Sequence, residues 1–131
     1  MFNFSNDMIP DLAQFLELYY YKILRVNLTT DTYEIVLLRK GEKASTETTL
    51  SGLLNEFAES DAVEDKDKTV FKAMTKLEYL RNHVDGEFWF KYGHKVGNSY
   101  YKAAFILMPS VNYSEDNQEC ILFLKEIELS M

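Results

Sequence analysis

Residues 24–38, LRVNLTTDTYEIVLL, put a hairpin pattern ahead of the main helices and the rest of the sheet of a short chain, and that order limits what the chain can fold into. Leu24, Val26 and Leu28 alternate with Arg25 and Asn27, the period-two signature of a strand. Thr29, Thr30, Asp31 and Thr32 favour a turn, because Asp and Thr side chains bond nearby backbone. Tyr33 to Leu38 resume a strand rich in aromatic and branched residues.

The spacing before the hairpin predicts an amphipathic helix over 7–20. Met8, Leu12, Phe15 and Tyr19 form one stripe, widened by Leu16 and Tyr20. Asp7 suits the N-cap, and Pro10 falls in the first turn. After a loop at 39–46, Leu50, Leu53, Leu54 and Phe57 predict a helix over 49–59. The polar stretch 60–68 feeds a second helical segment, where Val70, Met74, Leu77 and Leu80 recur and Phe71 broadens the face. A turn at 83–87 precedes strands at 87–94, 99–109 and 119–129. Gly97-Asn98 marks a hairpin turn and 110–118 a loop.

The order α, β-β, α-α, β-β-β predicts an α+β domain with one five-stranded antiparallel sheet, helices inserted between strands 2 and 3 across one face, and an N-terminal amphipathic helix. The last three strands are apolar on both sides. Phe88, Phe90 and Tyr92 oppose Trp89. Tyr101, Ala103, Phe105 and Leu107 oppose Ala104, Ile106 and Met108. Leu122 and Leu124 oppose Ile121, Phe123 and Ile127. A half-solvated antiparallel sheet alternates apolar with polar, so the second face needs a cover. The N-terminal helix is one candidate and a second protomer the other.

With 131 residues, 47% hydrophobic and 15% aromatic, the chain fits one ordered domain with a real core. The net charge of −7, without a basic cluster, argues against nucleic acid and anionic membrane surfaces as partners. Apolar runs fall short of the roughly 18 residues that span a bilayer, so direct membrane insertion is not expected. One cysteine, Cys120, excludes an internal disulfide and fits a cytoplasmic location. The ending KEIELSM stops straight after a strand-like run, and a longer parent protein is expected.

Several stretches resemble a PAS domain of the divergent bacterial sensory type found upstream of GGDEF diguanylate cyclase domains. YYKILRVNLTTDTYEIV (20–36) resembles the first hairpin of those modules. AVEDKDKTVFKAMTKLEYLRNHV (62–84) resembles the segment that often reads Val-His-Pro-Asp-Asp-Arg before a helix. GEFWFKYGHKVGNSYYKAAFILMP (86–109) and ECILFLKEIEL (119–129) resemble its later strands. Two departures stand out: Glu64-Asp65-Lys66-Asp67 replaces His-Pro-Asp-Asp, and Glu126-Ile127-Glu128 replaces the terminal Asp-Ile-Thr. The resemblance implies a flanking helix over 1–19 and a PAS-like domain over 20–131, with the first hairpin supplying the central strand and its neighbour. It also implies a non-catalytic sensory and dimerisation module acting on a fused C-terminal effector, a diguanylate cyclase or histidine kinase. The expected homodimer uses Met8, Leu12, Phe15 and Tyr19 of the N-terminal helix together with the outer sheet face.

No Gly-rich phosphate loop, Ser-His-Asp set or metal-ligand spacing is present in the sequence. Phe57, Met74, Phe88, Phe90 and Phe105 either line a small-molecule cavity or fill a core, and filling is the default. Arg25 and Tyr101 are the candidate polar contacts in such a cavity. Neither haem nor flavin is expected. His83 is read as a helix-end histidine, His94 as solvated beside Lys95, and Cys120 as a small, partly buried hydrophobe. The acidic run Glu59, Asp61, Glu64, Asp65 and Asp67 is read as a solvated helix start. A carrier or isomerase-like enzyme with a cone-shaped α+β fold is the alternative function; the early hairpin argues against it.

Overall fold

The structure, a computed structural model, describes residues 9–39, 41–42 and 44–129. Asp7 and Met8 lie outside them. The elements run α1 (Ile9–Leu16), β1 (Tyr20–Asn27), β2 (Thr32–Leu38), α2 (Leu50–Glu59), α3 (Lys68–Met74), α4 (Leu77–His83), β3 (Phe88–Val96), β4 (Ser99–Pro109) and β5 (Glu119–Leu129), with a 3₁₀ turn at Asp65–Asp67. All five strands pair antiparallel in the order β2-β1-β5-β4-β3. The expected α+β architecture is therefore present, but β5, not the first hairpin, holds the centre. The hairpin lies to one side, with β2 at the edge.

The hairpin comes first because its turn seats the first inserted helix. Asp31 adopts φ +57°, a conformation Asp tolerates better than most residues. Its carboxylate accepts bonds from the Ser51 backbone N–H (2.7 Å) and the Ser51 hydroxyl (2.6 Å), and its carbonyl accepts from Leu50 N–H (3.1 Å). Thr49 caps the same helix by accepting from Gly52 N–H. α2 then buries Leu50, Leu53, Leu54 and Ala58 against the sheet.

Two expected helices differ in extent. The first ends at Leu16, not Tyr20. Leu18 and Tyr19 donate to the carbonyls three residues back, and Tyr20 already pairs with Lys125 of β5. The second segment breaks at Thr75-Lys76 into α3 and α4. The Thr75 hydroxyl donates back to the Phe71 carbonyl at 2.8 Å, and Lys76 turns extended. Phe71 and Leu80 are buried, whereas Val70, expected on the core side, is 56% exposed.

The acidic run is not merely a solvated helix start. Asp67 accepts from Gly93 N–H at 2.6 Å, Glu64 N–H donates to the Gly93 carbonyl, and Lys95 N–H donates to the Ala62 carbonyl. Residues 62–67 thus cover the edge of β3 from Gly93 to Lys95, which would otherwise offer unpaired backbone to another chain.

The alternation expected in β3, β4 and β5 holds except at Ile127, which a bulge opposite Lys102 and Ala103 leaves without a partner in the ladder. Toward the helices, the register lines up Phe88, Leu107, Leu122 and Leu24 in one row and Phe90, Phe105, Leu124 and Lys22 in the next. On the other face, Trp89, Ile106, Phe123, Ile23 and Leu37 make one apolar row across all five strands. α1 does not seal that face: Trp89 is 53% exposed and Met108 40%. Leu12, Phe15, Leu18 and Tyr19 are themselves exposed.

Candidate functional site

Five of the seven residues expected around a cavity do come together between helices and sheet. Phe90 and Phe105 are buried there, with Phe57, Met74 and Phe88 packed against them. Phe71 sits at the hub, its ring 5.0–6.0 Å from those of Phe57, Phe90, Tyr92 and Phe105. Arg25 belongs to the opposite face, where it is half exposed and 3.5 Å from Glu34. The period-two pattern that sends Leu24 and Val26 inward sends Arg25 outward. Tyr101 stands at the end of β4, opposite His94 and Leu129.

The space these aromatics enclose is nearly filled. A void of about 10 Å³, measured by where the centre of a water can sit, lies among Lys22, Leu24, Leu53, Leu54, Phe57, Phe71, Leu122 and Leu124. That is at most the room of one water.

At the end of the sheet where β1 begins, the inner face turns polar. A bulge between Tyr20 and Lys22 places the consecutive residues Tyr21 and Lys22 both inside. The Lys22 ammonium lies 5.3 Å from the centre of the Phe57 ring. Burial pulls its pKa down, opposed by the charges of Glu42 and Glu56. Burial likewise raises the Glu42 pKa, with Lys22 and Arg39 opposing.

His94 is 1% exposed, which overturns its reading as solvated. Phe88, Phe90, Tyr92 and His94 share one period-two face, and that signal outweighs the neighbouring Lys95. Its Nδ1 lies 2.9 Å from the Ala62 carbonyl. A carbonyl only accepts, so Nδ1 carries the proton and Nε2 is a bare lone pair. Burial lowers the His94 pKa to about 4, against the Ala62 bond and helped by the charges of Lys22 and Arg39. Burial and the charge of Glu126 push the Tyr92 hydroxyl well above its ordinary value.

Arg39 closes this end. Its Nε donates to the Glu17 carbonyl at 2.8 Å, its Nη1 pairs with the Glu126 carboxylate, and its backbone N–H donates to the Tyr21 carbonyl at 3.1 Å. One residue therefore ties the segment after α1 to β5 through its side chain and to β1 through its backbone. No sequence signal announced this contact, since Arg39 and Glu126 lie 87 residues apart.

The other candidates are ordinary. His83 is exposed and stacks on Tyr79 at 4.0 Å. Cys120 is fully buried, and burial pushes its thiol up to about 12, so it is no nucleophile in the folded state. No described helix is long and apolar enough to cross a membrane. No protein-family model matches the chain, and no curated protein matches it.

Proposed function

We propose that this chain is a PAS-like sensory and dimerisation module of a bacterial signalling protein, regulating a fused diguanylate cyclase or histidine kinase in the cytoplasm. The observation that carries the reading is the apolar row Trp89, Ile106, Phe123, Ile23 and Leu37 on the face the helices leave open. A stripe of that length on a monomer marks a surface made for another surface. The leading hairpin, the inserted helices and the three returning strands support the family resemblance. The exposed Leu12, Phe15 and Tyr19 of the N-terminal segment supply a second apolar surface for the same partner. A second copy of the chain is that partner. Lys91 and Lys125 flank the row on one side, and Asp11 and Glu17 lie on the N-terminal segment, so the two surfaces are complementary in charge.

Regulation follows from Arg39. A rearrangement of the inner face changes the Arg39–Glu126 pair and, through Glu17, the setting of the N-terminal helix. That is a two-state element which a stimulus biases by binding one arrangement better. The nearly filled inner face supports this reading over a carrier, whose ligand needs an open cavity. Sedimentation equilibrium of the chain tests it. A dimer that Phe123→Glu and Phe15→Glu each convert to a folded monomer is expected. A monomer at every concentration contradicts it.

A further inference from the structure

Three deeply buried polar atoms of the inner face have no protein partner among the described residues: the hydroxyls of Tyr21 and Tyr92 and Nε2 of His94. Their residues are 0%, 4% and 1% exposed. The rings are held together. Tyr21 stacks on His94 with centroids 4.1 Å apart and planes 5° from parallel, and Tyr92 stands edge-on to His94 at 6.3 Å. Phe57 packs against all three at 6.1–6.4 Å. Buried polar groups are nearly always satisfied, so three orphans in one cluster call for a common cause.

Their chemistry identifies it. The Ala62 carbonyl holds the His94 proton on Nδ1, which leaves Nε2 as an acceptor. Burial keeps the imidazole neutral and the Tyr92 phenol protonated. The cluster therefore presents two hydroxyl donors and one nitrogen acceptor. The three atoms make no hydrogen bond to one another, so a direct tyrosine–histidine or tyrosine–tyrosine bond does not answer for them. A carboxylate has no hydrogen for Nε2, and an ammonium has no lone pair for the hydroxyls. A neutral oxygen with two lone pairs and a hydrogen satisfies all three.

We propose that Tyr21, Tyr92 and His94 form a three-point binding site for one neutral hydroxyl oxygen, that of a water molecule or of a small alcohol. The oxygen accepts from both tyrosines and donates to Nε2. Three bonds is the usual number for a buried water. The site does not depend on the sensory reading and stands if the chain proves to be a monomer.

Proton-detected NMR of the ¹⁵N-labelled chain at neutral pH, at low temperature, tests this, with native mass spectrometry beside it. The expected spectrum shows His94 protonated on Nδ1 and two slowly exchanging tyrosine hydroxyl protons. Both should cross-relax to one species. Transfer to water with a bare polypeptide mass identifies water. Transfer to carbon-bound protons with an added non-covalent mass identifies an alcohol. Tyr92→Phe should remove one hydroxyl resonance and leave the other in contact with the same species. Tyr21→Phe is the reciprocal variant if the first fails to fold. A proton on Nε2, hydroxyls exchanging too fast to observe, or contact with protein groups alone would each overturn the site.

Discussion

The two faces of the sheet come from the same strands and the same alternation, yet only one is closed. The inner face meets α2, α3 and α4, and its rows of Leu and Phe are buried except for the half-buried Phe88. The outer face carries an apolar row that crosses all five strands, flanked by Lys91 and Lys125 on one side and Arg25 and Glu34 on the other. All of its residues are partly exposed except Ile23. Among the described residues, helices cover one face only. The inner face therefore explains why the chain folds, and the outer face is the surface on which the proposed self-association rests.

Substitutions should separate the faces, and the largest effect belongs inside. Phe71→Ala removes the ring that touches four other aromatics, and a loss of about 3–5 kcal/mol is expected in urea unfolding followed by circular dichroism. A loss below about 1 kcal/mol would mean that the inner face is not close-packed.

The polar end of the same face should make stability depend on pH. His94 has a folded pKa of about 4, below the 6.5 of an unperturbed histidine, so the unfolded chain binds more protons between those values. Its contribution is complete above pH 6.5 and is lost as the pH falls toward 4, a change of about 3 kcal/mol. His94→Phe should remove that slope. An unchanged slope would assign the acid sensitivity to other groups.

Next comes the Arg39–Glu126 pair, whose side chains are 23% and 17% exposed. Glu126→Gln is expected to cost about 1–2 kcal/mol and to loosen the N-terminal segment, read as faster amide exchange between residues 17 and 20. Outside, Ile106→Ser should change the folding of the isolated monomer by no more than about 1 kcal/mol while weakening self-association. The smallest effect is at the exposed Arg25–Glu34 pair, where Arg25→Ala should stay within about 0.5 kcal/mol.

How much of this was legible in the sequence follows from the range of each determinant. The facing of Phe88 to Tyr92, of Tyr101 to Met108 and of Ile121 to Leu124 is a local period-two pattern, and it holds. His94 obeyed the same period, and reading it from its polar neighbour concealed it. The end of the first helix was not legible, because Tyr19 and Tyr20 fit a helical stripe and a strand equally well. The strand wins through Lys125, which is distant in sequence. The break between α3 and α4 carries no Gly or Pro and depends on a threonine bonding backward. The central place of β5, the bulge that turns Tyr21 and Lys22 both inward, and the Arg39–Glu126 pair are long-range outcomes of pairing. Phe57, Met74, Phe88, Phe90 and Phe105 fall together because core packing and cavity lining use the same side chains, whereas Arg25 lies on the opposite face.

The most direct measurement uses the chain's own reporter. Trp89 is the only tryptophan, and it lies half exposed at one end of the outer row. Its emission and its quenching by iodide should be recorded from nanomolar to high micromolar protein. A shift to shorter wavelength with falling quenching as the protein is concentrated is expected, and Phe123→Glu should abolish both. Solvent-exposed emission, equally quenched across the whole range, would contradict the outer face as the dimer surface.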